Sequence, residues 1–218
     1  MNIITGHYGS GKTNIAVNMA LDMRNKGIKV CLVDFDIVNP YFRSADMTSM
    51  LEEKGVKVIA SIYANSNLDI PAIPSNINTI FDDKSYTVII DVGGDDAGAA
   101  ALGQFSRQII EENNYDLFYV INGKRSMTQT AEEAVEILRE IEQISHLKAD
   151  LLINNTHLGN ETELATITSS FDFANEVSRL SALPLAFTAV KNDIASKLFD
   201  NKNSIFPVDI YVKTPWEN

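Results

Sequence analysis

Apolar residues along the chain fall into two alternating patterns. Short runs in which nearly every position is apolar, at residues 28–33, 86–92, 116–121 and 149–153, are about one strand long and lack a polar face, which predicts strands buried on both sides of a parallel sheet. The segments between them repeat their apolar residues on a helical period. In 13–26 these are Ile15, Ala16, Met19, Ala20 and Met23, and in 128–145 they are Ala131, Ala134, Val135, Leu138 and Ile141. Glu132, Glu133 and Glu136 then lie on a solvated helix face. Cap and turn residues set the other boundaries: a strand at 2–5, a helix at 43–54 stopped by Gly55, strands at 56–59 and 185–190, and helices at 75–81 capped by Ser75, 99–112, 169–183 and 193–199. Strand alternates with helix along the chain. That order predicts an α/β fold, a doubly wound and mainly parallel sheet with helices on both faces, in one domain spanning residues 1–218.

Open sheets of this kind bind ligands beyond the carboxyl ends of their strands, so the residues that follow each apolar run carry the chemistry. The first strand runs into Gly6-His7-Tyr8-Gly9-Ser10-Gly11-Lys12-Thr13. The spacing G-x-x-x-x-G-K-[ST] is that of a phosphate-binding loop: glycines where the backbone turns tightly and approaches a ligand, a lysine charge, and a hydroxyl able to coordinate Mg²⁺. Its position between a strand and a helix turns successive N–H groups and the helix N-terminus onto one anion. A dinucleotide fingerprint is excluded, because the third glycine it needs after Gly9 and Gly11 is Asn14.

The second strand ends in Asp34-Phe35-Asp36, two carboxylates at i and i+2 on the same sheet edge. The third ends in Asp91, followed by Val92-Gly93-Gly94. An acid there suits Mg²⁺-bound water, and the glycines let the backbone approach a γ-phosphate. Asp95 or Asp96 suits the N-cap of the next helix. Ile153-Asn154-Asn155 brings amides to the same edge, where an asparagine can bond both donor and acceptor of an adenine.

The formal net charge of −11 argues against nonspecific binding to nucleic acid or anionic membrane. The single cysteine, Cys31, sits inside an apolar run and reads as a buried inert thiol. With no leader pattern and no membrane-length apolar run, the expectation is a soluble cytoplasmic protein. His7, His146 and His157 are too scattered to suggest a metal site by spacing, and read as structural or surface residues. Residues 65–74, with Pro71 and Pro74, form either a braced connection or a loop that contacts a substrate. The tail at 205–216 is broken by Pro207 and Pro215.

Taken in order, GHYGSGKT, VDFD, IIDVGG and LINN resemble the MinD/ParA class of P-loop ATPases, which includes the nitrogenase iron protein and the CobQ/CobB-type nucleotide-binding domains. The resemblance spans the first three quarters of the chain. It implies the P-loop NTPase fold, ATP with Mg²⁺, and a nucleotide-dependent homodimer. By position it implies that Lys12 holds the β- and γ-phosphates, that Gly9, Ser10, Gly11, Lys12 and Thr13 cradle phosphate, and that Thr13 ligates Mg²⁺. Asp34 and Asp91 would support the metal shell, Asp36 would orient the attacking water, and Asn154 would read adenine. The class carries a signature lysine that reaches into the partner's nucleotide, and this chain has His7 there. A neutral imidazole does not replace that charge; Arg43 and Lys124 are other cations offered by the sequence. The expected activity is a slow ATPase acting as a nucleotide switch on a partner protein. The alternatives are an ATP-dependent small-molecule ligase or kinase resembling dethiobiotin synthetase, and a nucleotide sensor without hydrolysis.

Overall fold

The computed structural model describes residues 1–36, 45–60, 77–198 and 204–211. Within them the apolar runs become eight strands of one sheet: β1 (Asn2–Thr5), β2 (Val30–Phe35), β3 (Lys57–Ile59), β4 (Thr87–Val92), β5 (Asp116–Ile121), β6 (Leu151–Asn154), β7 (Leu185–Lys191) and β8 (Ile205–Val208). Their order is β3-β2-β4-β1-β5-β6-β7-β8, and every pairing is parallel. From β1 the chain winds outward to β2 and β3, returns to β4, then winds the other way from β5. The reversal is centred on β1, so the loop that follows β1 opens at the switch point, where such sheets take ligands.

Side chains alternate across the sheet with a period of two, and each face has its own helices. Ile3, Val33, Ile90, Leu117 and Tyr119 pack in one layer with Leu102, Ala134, Leu138 and Val177. Ile4, Leu32, Ile89, Val120 and Ile153 pack in the other with Ile15, Met19, Ala20 and Leu51. The first layer therefore draws on α4 (Asp96–Gly103), α6 (Ala131–Ser145) and α7 (Leu164–Ser181), and the second on α1 (Lys12–Asn25) and α2 (Ala45–Glu53). The expected two-sided winding is present. Cys31 is buried in the first layer, and burial pushes its thiol up, as an inert thiol requires. Among the described residues no helix is long and apolar enough to cross a membrane.

Several elements differ from the sequence reading, among them α7, which begins at Leu164 rather than at 169, and α8 (Asn192–Ala195), which is shorter than the helix expected at 193–199. The helix expected at 99–112 is two helices, α4 and α5 (Ser106–Glu112). Gly103 lies where an added Cβ would stand 2.9 Å from the Ile144 carbonyl, and the Ser106 hydroxyl donates to the Gly103 carbonyl at 2.8 Å. That side-chain bond replaces a helical one and turns the chain. The helix expected at 75–81 is the short α3 (Thr79–Asp82), and its Ser75 cap lies outside the described residues, as do Arg43, Pro71 and Pro74. The broken tail contains β8, an edge strand in which Pro207 is tolerated because one side has no ladder to complete. After β7 the chain forms the single turn α8.

β8 leads into a segment held by two asparagines on α1. Asn18 Nδ2 donates to the Asp209 carbonyl at 2.9 Å, and Asn18 Oδ1 accepts from the Asp209 N–H at 2.9 Å. Asn14 Oδ1 accepts from the Tyr211 N–H at 2.9 Å. One helical turn separates the two asparagines, so α1 presents them in line as a substitute strand edge. Asn18 is buried, and its loss leaves the Asp209 N–H unpaired, while the Asp209 carbonyl keeps the Asn14 Nδ2 donor at 3.0 Å. Asn18→Ala is predicted to lower unfolding free energy by about 1–3 kcal/mol, measured by denaturant titration; a change below about 0.5 kcal/mol would contradict this role.

Candidate functional site

The loop after β1 is shaped by positions that only glycine fills easily. Gly11 has φ +87°, and a Cβ on it would stand 2.3 Å from Asn155 Nδ2. It is also the N-cap of α1 and supplies no side-chain cap, which leaves first-turn N–H groups free to point at an anion. Opposite it, a Cβ on Gly94 would stand 2.6 Å from Lys12 Nζ and 2.7 Å from the Tyr8 N. The turn after β4 thus lies directly against the loop. Asp95 ends that turn as the N-cap of α4, accepting from the Gly98 N–H at 2.9 Å.

Lys12 is buried, and its Nζ donates to the His7 carbonyl at 3.1 Å. Burial pulls its amine down, against the opposing pull of Asp91, Asp36 and Asp95. Asp34 and Asp91 are register partners on β2 and β4, and Asp34 Oδ1 accepts the Asp36 N–H at 3.1 Å. Asp91 is buried and pushed up to about 7: burial is the main cause, Asp34 and Asp36 add to it, and a Thr13 hydroxyl hydrogen bond and Lys12 oppose it. Asp91 Oδ1 and Ser10 Oγ are buried with no hydrogen-bond partner among the described residues. Lys12, Thr13, Asp34, Asp36 and Asp91 are therefore brought together at one sheet edge.

A cavity of about 480 Å³ opens from this cluster, within the range of about 300–1,000 Å³ usual for small-molecule sites. Gly9, Gly11, Lys12, Thr13, Asp36 and Gly94 line one end; Leu158, Ile167, Ala189, Val208 and Ile210 line the apolar other end. Asn154 is not among the lining residues. It is fully buried, its Nδ2 donating to Ser170 Oγ at 2.8 Å and Thr188 Oγ1 at 3.3 Å. Its Oδ1 accepts from Thr156 Oγ1 at 2.8 Å. An amide so occupied has nothing left to read a base, which corrects the sequence expectation for this residue. The neighbouring Asn155 lines the cavity, with Nδ2 donating to the Ser10 carbonyl at 2.7 Å. Residue-by-residue alternation decided between them: successive side chains of a strand end point to opposite sides.

Sequence reasoning also missed the bracket between the loops after β5 and β6. Asn122 is buried; its Oδ1 accepts from the Lys124 N–H at 3.0 Å and the His157 N–H at 3.3 Å. His157 is brought to the cavity beside Gly11, while its Nδ1 accepts from the Gly159 N–H at 3.1 Å. Nε2 is then the protonated nitrogen. His7 is partly buried, and burial followed by Lys12 and Arg125 holds its imidazole below the ordinary value. Its surroundings favour the neutral form.

The CobQ/CobB/MinD/ParA nucleotide binding domain matches residues 3–160 of the chain. A comparison with curated protein sequences finds no match. Among solved structures, chloroplast FtsY from Physcomitrella patens superposes with a TM-score of 0.57 at 16% identity, covering 95% of this chain and 61% of that one. FtsY from Mycoplasma mycoides gives 0.53 at 19% identity, covering 87% and 60%. The chain thus spans less than two thirds of the FtsY structures. The nucleotide-binding protein in complex with ADP from Archaeoglobus fulgidus gives 0.53 at 15% identity, covering 89% and 84%. At these identities the likeness is one of fold.

His157 makes the site's stability depend on pH. Burial, with Arg125 second, holds its imidazole down to about 4, against 6.5 for an ordinary histidine. Between those values the unfolded chain takes up a proton that the folded chain does not. The histidine's contribution is complete above pH 6.5 and is lost as pH falls toward 4. Asp91 acts in the opposite sense, since its carboxyl is held up to about 7, so a comparison with a His157 variant is needed to separate the two. Between about pH 7 and pH 4.5, His157→Gln is predicted to gain about 2 kcal/mol on the parent in unfolding free energy. Identical pH dependence in the two proteins would contradict it.

Proposed function

Since the chain belongs to the CobQ/CobB/MinD/ParA nucleotide-binding domain family, we propose that it binds ATP with Mg²⁺ and hydrolyses it slowly as a nucleotide switch acting on a partner protein. The observation that carries this reading is the gathering of Lys12, Thr13 and Asp36 on the wall of the loop cavity, with the buried Asp91 hydrogen-bonded to Thr13 beside them. In phosphoryl transfer the protein mainly positions groups and offsets charge. Lys12 holds the β- and γ-phosphates, and the backbone from Gly9 to Thr13 cradles them. Asp36, which lines the cavity, orients the attacking water.

Mg²⁺ fits the donor set. Thr13 offers a hydroxyl, and Asp91 Oδ1 is a buried carboxylate oxygen with no partner among the described residues; both are hard oxygen ligands. Among those residues no group of three or more His, Cys, Asp or Glu side chains is gathered as a complete metal site. Mg²⁺ commonly keeps waters and phosphate oxygens as its other ligands, so a partial set from Thr13 and Asp91, with Asp34 beside them, suits it. When bound, Mg²⁺ neutralises charge on the phosphate oxygens.

Adenine is favoured over guanine by Asn155. One Nδ2 hydrogen donates to the Ser10 carbonyl, which leaves the amide its oxygen and a second N–H; that acceptor–donor pair matches N6 and N7 of adenine, whereas guanine presents two acceptors, O6 and N7, on the same edge. ATP is predicted to bind the parent more tightly than GTP in titration calorimetry with Mg²⁺. Lys12→Ala is predicted to weaken ATP binding by about a hundredfold or more and to end phosphate release. A Lys12→Ala protein that bound and hydrolysed ATP like the parent would sink the reading. Acceleration of turnover by a small metabolite, with no response to any protein, would favour the ligase or kinase alternative.

A further inference from the structure

The loop after β5 carries a cation that the reading above does not use. Arg125 lines the cavity, and its Nε donates to the Gly9 carbonyl at 2.8 Å. A Cβ on Gly9 would stand 3.1 Å from that nitrogen, so the guanidinium lies against the phosphate loop at a position with no side chain. One Nε–H is used by this bond, and the fork retains its other N–H donors. Among the described residues no carboxylate forms a salt bridge with Arg125.

The arginine is held there by its own loop. The Arg125 N–H donates to the Asn122 carbonyl at 3.2 Å, and the Arg125 carbonyl accepts from the Thr128 N–H at 3.0 Å. The buried Thr128 hydroxyl closes the turn on the Asn122 carbonyl at 2.7 Å. Asn122 also grips the loop of His157. Arg125 therefore sits on a braced turn, and a pre-positioned cation loses less freedom when it meets its anion.

The charge around it is out of keeping with the rest of the chain. Lys12, Lys124, Arg125 and Lys191 line the cavity against Asp36 and Glu161, in a chain of formal net charge −11. An arginine laid on a phosphate loop with no salt-bridged acid among the described residues is matched to bidentate phosphate contact. His7 and His157 both feel its field.

We infer that Arg125 is a second phosphate-binding cation of the site, supplied by the same chain and contacting the polyphosphate from the Gly9 side of the loop. This rests on the nucleotide-binding reading above and deepens it. It also gives the charge missing at His7 a source that needs no second subunit.

The test compares the parent with Arg125→Gln and Arg125→Lys in calorimetric titrations with Mg²⁺ and the non-hydrolysable ATP analogue AMPPNP, alongside melting of the unliganded proteins. Gln keeps a neutral donor for the Gly9 carbonyl; Lys keeps the charge without the fork. Arg125→Gln is expected to bind AMPPNP about ten- to a hundredfold more weakly, the size of one charge-assisted hydrogen bond. Arg125→Lys is expected to recover part of that loss, with the melting temperature unchanged in both. The inference is overturned if Arg125→Gln binds like the parent, or if Gln restores binding as well as Lys does, which marks a structural bond to Gly9. A parent that binds no AMPPNP overturns the nucleotide-binding reading itself, whereas a binding parent with an unaffected Arg125→Gln overturns only the role of Arg125.

Discussion

Lys12 and Asp91 are buried side by side at the carboxyl edge of the sheet, and the rest of the site follows from keeping both there. Burying an ion costs several kcal/mol unless a partner or ligand offsets it. The lysine leans on a loop carbonyl, and the carboxyl keeps one oxygen unpartnered while two more acids crowd it. That is a poor arrangement for an empty protein. A polyphosphate facing Lys12 and a divalent cation facing Asp91 would relieve both ends together, and a ligand that binds only the folded state adds to its stability. On this reading the unliganded fold holds an electrostatic strain that nucleotide and Mg²⁺ discharge.

The backbone makes that burial possible. β1 ends where the sheet reverses, so α1 starts from that point and packs over β2, β4 and β1, and loops from both halves of the sheet reach the same point. The turn of Gly93 and Gly94 closes from one side. From the other, Asn155 donates to Ser10 and Asn122 ties the loops after β5 and β6 together. Asn14 and Asn18 extend this by fixing the segment after β8; Val208 at the end of that strand and Ile210 beyond it wall the apolar end of the cavity. Two helix asparagines next to the phosphate loop thus connect the chain's last described segment to its first motif.

Much of this was legible in the sequence because it rests on local patterns. Continuous apolar runs gave the buried strands, helical spacing gave α1 and α6, and the motif together with strand-end acids located Lys12, Thr13, Asp34, Asp36 and Asp91. Most of the misses depend on contacts distant in sequence. The break at Gly103 is set by the end of α6, some forty residues on. β8 carries a proline that only an edge position tolerates, and edge position is a property of the whole sheet. Asn154 and Asn155 are one residue apart, and only the register with β7 and α7 decides which faces the core. Arg125 lies in a loop without any recognised motif, and its contact with Gly9 spans 116 positions.

The most direct measurement is a crystal structure with AMPPNP and Mg²⁺. The account predicts phosphates on the amides from Gly9 to Thr13 and within reach of Lys12, the metal on Thr13 near Asp91, and the adenine amine on Asn155 Oδ1. A nucleotide bound elsewhere, or one whose phosphates bypass Lys12, would contradict it.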